Sequence, residues 1–151
     1  MKNLEIERKF LVLDDRYRAL AVRHHEIMQG YLCKDKDRTI RVRIRDNEAF
    51  LTIKSATNQK GIARFEWERT IDVEDAKQLL QLALPGVIEK TRWIIPAAEP
   101  GLEWEVDEFL GRLAGQTLAE LELEDETQPF TKPAWLGEEV TGNPQYYNAN
   151  M

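Results

Sequence analysis

Cysteine is almost missing from this chain: Cys33 is the only one in 151 residues. No intrachain disulfide can form, a thiolate zinc site cannot be assembled, and Cys33 itself reads as a small half-buried hydrophobe. Histidine is nearly as scarce. His24 and His25 are neighbours, so on a helix or a strand they diverge and cannot chelate one ion together; they read as solvated loop or helix residues. Long apolar runs are absent, because charges interrupt every few residues, and no segment is suited to span a bilayer. Met1-Lys2-Asn3-Leu4-Glu5 passes straight into alternation without a hydrophobic signal region, which points to the cytoplasm. Repeats, low-complexity runs and Gly/Pro/Ser linkers are lacking, which leaves one domain over residues 1–151. Cationic excess is lacking too. The chain has 21 Lys and Arg against 27 Asp and Glu, net −6, and Asp residues interleave the Lys34 to Arg45 stretch. Neither a nucleic acid nor a membrane is expected as a partner.

What is present is enough apolar material for a core, 42% of residues, distributed with period two, the mark of strands with two different faces. Leu4 to Leu13 sets Glu5, Glu7 and Lys9 against Leu4, Ile6 and Phe10. A polar, partly helical stretch (Asp14 to His25) precedes a strand around Ile27 to Cys33. Arg38 to Arg45 sets Arg41, Arg43 and Arg45 against Ile40, Val42 and Ile44, and Ala49 to Lys54 is its hairpin partner. Arg64 to Ile71 alternates again. Asp72-Val73-Glu74-Asp75 opens a helix, with acids in its first turn, that Pro85-Gly86 ends. Strands follow over Val87 to Ile95, Leu102 to Phe109 and Leu118 to Glu124, and Phe130 to Met151 reads as a short helix plus a packed tail. About eight strands joined by short connections argue for an antiparallel sheet, and eight suffice to close a barrel. The expected class is α+β, mainly β: an eight-stranded antiparallel closed barrel with flanking helices.

The polar faces carry the functional signal. One reading is the solvated side of a sheet whose apolar side packs on helices. Against it, these faces hold Lys, Arg, Glu and Asp with almost no Ser, Thr or Asn. Their signs are also segregated by strand: Arg41-Arg43-Arg45 and Lys90-Arg92 are basic, Glu103-Glu105-Asp107 and Glu120-Glu122-Glu124 acidic. Like charges side by side on one face repel. A barrel with its charged face inward would hold a carboxylate patch and a cationic patch, which suits a wet lumen better than a dry one, because unpaired buried charges cost several kcal/mol each. Carboxylate oxygens suit hard ions such as Mg²⁺ or Mn²⁺, and Arg and Lys suit phosphate. Together they imply phosphoryl chemistry or tight phosphate binding.

Taken in order, the motifs resemble the triphosphate tunnel metalloenzymes, the CYTH superfamily, in its short bacterial tripolyphosphatase-like branch. Glu5-Ile6-Glu7-Arg8-Lys9 fits the Glu-x-Glu-x-Lys opening. Arg41-x-Arg43, Lys54 in Leu-Thr-Ile-Lys, Arg64-x-Glu66-x-Glu68, Glu-Lys90-Thr-Arg92, Glu105-x-Asp107 and Glu120-x-Glu122 follow, and Trp135 to Gly142 is similar to that branch's tail. The resemblance implies a triphosphate tunnel whose metal, Mg²⁺ or Mn²⁺, is held by Glu5, Glu7, Glu120 and Glu122. It implies that Arg41, Arg43, Lys54, Arg64, Lys90 and Arg92 bind the substrate phosphates, and that Lys9 and Tyr31 act together in catalysis. Glu124 departs from the branch's pattern, and Arg45 is placed at the rim. The implied activity is metal-dependent hydrolysis of a small-molecule triphosphate, inorganic tripolyphosphate foremost, to pyrophosphate and phosphate. A class IV adenylyl cyclase and a non-catalytic polyphosphate-binding module are the alternatives, and the oligomeric state is open, a homodimer included.

Overall fold

The computed structural model describes residues 4–151; the first three residues, read above as lacking a signal region, lie outside the described part. Nine strands form one antiparallel sheet: β1 (Leu4–Val12), β2 (Arg23–Asp35), β3 (Arg38–Arg45), β4 (Glu48–Ser55), β5 (Ala63–Ile71), β6 (Ile88–Pro96), β7 (Glu103–Phe109), β8 (Thr117–Leu123) and β9 (Leu136–Glu139). The order is β5-β4-β3-β2-β6-β7-β8-β1-β9, and an added β5–β1 pairing closes the first eight into a barrel. One edge of β1 serves two partners. Leu4–Ile6 pairs with β5, while Phe10 and Val12 pair with β9; its other edge is zipped to β8 from Ile6 to Leu11.

The dry core lies outside the barrel. Ile6 and Phe10 of β1, Trp104 and Val106 of β7, and Ala119 and Leu121 of β8 point outward, under a lid that includes Tyr17 and Trp135. Phe10, Trp104 and Trp135 meet edge-to-face, with ring centroids 5.6 and 5.8 Å apart, a preferred aromatic geometry. On the far side α2 (Val73–Gln81) buries Ala76 against Val42 and Ala49. Asp72 caps it, its carboxylate accepting from the N–H groups of Glu74 and Asp75 at 2.8 and 3.4 Å. Gly30 of β2 lets this layer sit close, because a Cβ there would stand 2.9 Å from the Ala83 Cβ.

Alternation thus located every barrel strand, and the sequence reading needs correction only where alternation is weak. The stretch before β2 holds a single helical turn, α1 (Tyr17–Leu20), and β2 starts at Arg23. His24 and His25 are therefore strand residues, His24 against the Trp93 ring and His25 hydrogen-bonded to Asp46. The helix α2 stops at Gln81, ahead of Pro85-Gly86. The expected C-terminal helix is instead the short strand β9 followed by 3₁₀ turns over Pro144–Tyr146 and Asn148–Asn150. Its Pro, Gly and Asn content disfavours helix, and β1 offered a free edge. Among the described residues no helix is long and apolar enough to cross a membrane.

Candidate active site

Because side chains alternate across a strand, the charged face of each barrel strand shares one lumen. The cavity has a volume of about 520 Å³, and all twelve residues singled out from the sequence line it: Glu5, Glu7, Lys9, Tyr31, Arg41, Arg43, Lys54, Arg64, Lys90, Arg92, Glu120 and Glu122. Arg45 also borders it, half exposed beside Glu48, whereas Glu124 lies beyond the end of β8 and is exposed. At one end the inward positions turn apolar. Leu11, Ile88, Phe109 and Leu118 cluster there with Tyr146 and Met151, so the 3₁₀ turns after β9 plug that side.

The basic side chains fall into two groups. Some are matched by acids: Lys54 Nζ donates to both Glu5 carboxylate oxygens at 2.9 Å, Arg64 Nε to Glu5 at 3.3 Å, and Arg92 clasps Asp107 through Nε and Nη2 at 2.7 and 2.9 Å. Lys90 shares Asp107 at 2.7 Å. Burial would raise the Glu5 carboxyl, but Lys54 and Arg64 outweigh it and hold it near 2. Likewise, Arg92 and Lys90 overcome the burial of Asp107 and keep it well below the usual carboxylate range. Arg43 is different. Its Nε donates to the neutral amide oxygen of Gln29 at 2.8 Å, and burial together with Arg41 and Arg92 pulls its pKa down.

The acidic patch is crowded. Glu7 faces Glu122, and Lys9 faces Glu120, across the β1–β8 ladder. Burial, then Glu120 and Glu5, push the Glu7 carboxyl well above its ordinary value, and burial with Glu5 and Glu105 pushes Glu122 up to about 7. Lys9 Nζ donates to the Tyr146 carbonyl at 2.9 Å and stands 3.7 Å from Glu120. Among the described residues it makes no hydrogen bond to Tyr31, whose hydroxyl has no protein partner.

A profile of the CYTH domain matches residues 3–149, almost the whole chain. The chain belongs to the CYTH family. An inorganic triphosphatase of Acetivibrio thermocellus is 45% identical over 148 residues, covering 97% of this chain and 92% of that protein. An inorganic triphosphatase of Nitrosomonas europaea is 38% identical over 150 residues, covering 95% and 93%. The crystal structure of the inorganic triphosphatase NE1496 superimposes with a TM-score of 0.64 at 35% identity, over 97% of this chain and 92% of that one.

CYTH triphosphatases generally use a divalent metal. Among the described residues no three carboxylates already stand together in ligand geometry, since Glu5 is taken by Lys54 and Arg64 and Glu120 leans on Lys9. The donor set nevertheless fits a hard cation. Glu7 and Glu122 offer only oxygens and stand side by side without an ion-pair partner among the described residues, and burial with the neighbouring carboxylates pushes both carboxyls up, a crowding that a cation would relieve. Sequence reasoning missed three groups of this CYTH tunnel: Thr52, which lines it, accepts from Arg41 and donates to Glu68; Gln29, fully buried and hydrogen-bonded to Arg43; and the lining turn that bears Tyr147 and Asn148. Gln29 shares the face of Tyr31 and was detectable by parity. Nothing periodic marks the turn.

Proposed function

We propose that this CYTH protein is a divalent-metal-dependent triphosphatase, cleaving inorganic tripolyphosphate to pyrophosphate and phosphate within a single tunnel domain, residues 1–151. The observation that carries the reading is the lumen itself, with the six proposed phosphate ligands among its basic side chains and a carboxylate patch beside them, in a cavity sized for a small polyanion. Arg41, Arg43, Lys54, Arg64, Lys90 and Arg92 would hold the phosphate chain, the arginines through paired N–H groups and the lysines as point charges. Lys54, Arg64 and Arg92 exchange carboxylate partners for phosphate oxygens, so part of their attraction is already satisfied before substrate arrives. Arg43, tied only to an amide, keeps its full charge for the ligand.

Glu5, Glu7, Glu120 and Glu122 are the residues to hold Mg²⁺ or Mn²⁺, which supplies charge neutralisation at phosphoryl oxygens. Lys9, fixed by the Tyr146 carbonyl and Glu120, presents ammonium N–H groups to the reacting region, and the Tyr31 hydroxyl is free to orient the attacking water. The location we infer is the cytoplasm, where a lone thiol such as Cys33 stays reduced. The test is phosphate release from tripolyphosphate, ATP and thiamine triphosphate with Mg²⁺ or Mn²⁺, with cyclic AMP assayed alongside. Tripolyphosphate should turn over fastest and a chelator should stop it. Cyclic AMP as the main product from ATP would overturn the reading in favour of a cyclase, and binding without any turnover would favour a polyphosphate-binding module.

A further inference from the structure

Two neutral amides hold cations of the lumen where acids would be expected. Gln29, fully buried on β2, accepts the Arg43 Nε–H at its Oε1 at 2.8 Å and donates from Nε2 to the Asn148 Oδ1 at 3.0 Å. The same Asn148 oxygen accepts from Lys90 Nζ at 2.6 Å. The amide orientations follow from chemistry: Arg and Lys only donate, so both amide oxygens must face them, and the Gln29 NH₂ is left to bridge. One unbroken chain thus runs Arg43–Gln29–Asn148–Lys90, from β3 through β2 and the plugging turn to β6. Among the described residues the one carboxylate that meets it is Asp107, which Lys90 shares with Arg92.

We infer that Gln29 and Asn148 are positioning residues for triphosphate binding, a neutral tie that fixes Arg43 in the lumen without cancelling its charge and holds Lys90 without adding a second acid to Asp107. The inference rests on the triphosphatase reading. A Glu or Asp in either place would satisfy the same donors better in the free protein, yet would leave the lumen with one positive charge fewer for its ligand. An amide gives the geometry and spares the charge. It also explains why the turn after β9 belongs to the site: Asn148 reaches Lys90 from that turn, and the Tyr146 carbonyl of the same segment holds Lys9.

The experiment compares Gln29→Glu and Asn148→Asp with wild type in the full chain, by thermal melting, by calorimetric titration with sodium tripolyphosphate in EDTA, and by steady-state kinetics with Mg²⁺. Each variant adds a carboxylate within a few ångströms of two cations, so melting temperature should hold or rise. Triphosphate affinity should fall by ~10-fold or more, because a unit charge at such distances is strongly felt by a polyanion. KM should rise in step while kcat stays near wild type, the signature of lost ground-state binding. If one variant fails to fold, the other tests the same tie from a different strand or turn. Folded variants with dissociation constants within about twofold of wild type would overturn the inference. The titration needs no turnover. A wild-type protein that binds tripolyphosphate without cleaving it would therefore sink the triphosphatase reading alone, and one that does not bind it would sink both.

Discussion

Replacing Asp107 with Asn barely changes volume and removes one charge from a fully buried position inside the barrel. Asp107 is 1% exposed, Lys90 1% and Arg92 8%. The carboxylate accepts two charge-assisted hydrogen bonds from Arg92 at 2.7 and 2.9 Å and forms an ion pair with Lys90 at 2.7 Å. An Asn offers one oxygen and turns an NH₂ toward a donor, so at least one cation is left buried and uncompensated. Breaking a buried pair in this way costs ~3–5 kcal/mol. For a chain of this size each kcal/mol lowers the melting temperature by about 2–4 °C, so a fall of roughly 6–20 °C is expected. Two further readouts separate this account from a general packing defect. Tripolyphosphate supplies the missing negative charge, so in metal-free buffer it should raise the variant's melting temperature by more than it raises the wild type's. The sign of the pH effect is also fixed. The folded-state pKa lies below the ordinary value of 3.8, so this stabilisation is fully present above pH 3.8 and drains away as pH falls below it; the Asn variant lacks that slope. The assay is thermal melting from pH 3 to 8, with and without tripolyphosphate. An Asp107→Asn protein that melts within about 2 °C of wild type and gains no extra protection from tripolyphosphate would refute the reasoning.

Glu7→Gln and Glu122→Gln should each abolish or strongly impair hydrolysis while folding stability holds or rises, since each relieves like-charge crowding; full activity in chelator-treated protein would overturn the metal assignment. With the Glu122 carboxyl raised from 4.5 to about 7, the folded form binds its proton more tightly. The metal-free wild type should therefore lose stability relative to Glu122→Gln as pH rises from about 4.5 to about 7, in melts taken with EDTA. Arg43→Ala should chiefly raise KM for tripolyphosphate, whereas Lys9→Ala and Tyr31→Phe should lower kcat by ~10²–10⁴-fold; steady-state kinetics at saturating Mg²⁺ decide, and a kcat near wild type would make Lys9 and Tyr31 binding groups. Asp72→Ala removes the α2 cap and should cost about 1 kcal/mol in denaturant melts, leaving activity unchanged.

Alternation alone determined a great deal about this protein. Arg41 and Arg43 share a face with each other and not with Val42, so once α2 covers Val42 on the outside of the barrel both arginines must enter the lumen, because a one-residue slip would invert every strand. The same logic assigned Glu5, Glu7 and Lys9 to one face of β1 and Glu120 and Glu122 to one face of β8. Parity is local, however, and says nothing about who meets whom. That Lys54 answers Glu5 from 49 residues away, that Asp107 serves both Lys90 and Arg92, and that Glu7 stands beside Glu122 with no ion-pair partner among the described residues depends on barrel closure and on the register of β1 against β5 and β8. The plugging turn was the least legible part. Tyr146 and Asn148 sit in a segment without periodicity, and their contacts with Lys9 and Lys90 span 137 and 58 residues. Side-chain direction is set by neighbouring backbone, which the sequence spells out; pairing across a lumen is set by long-range packing, which only the folded chain decides.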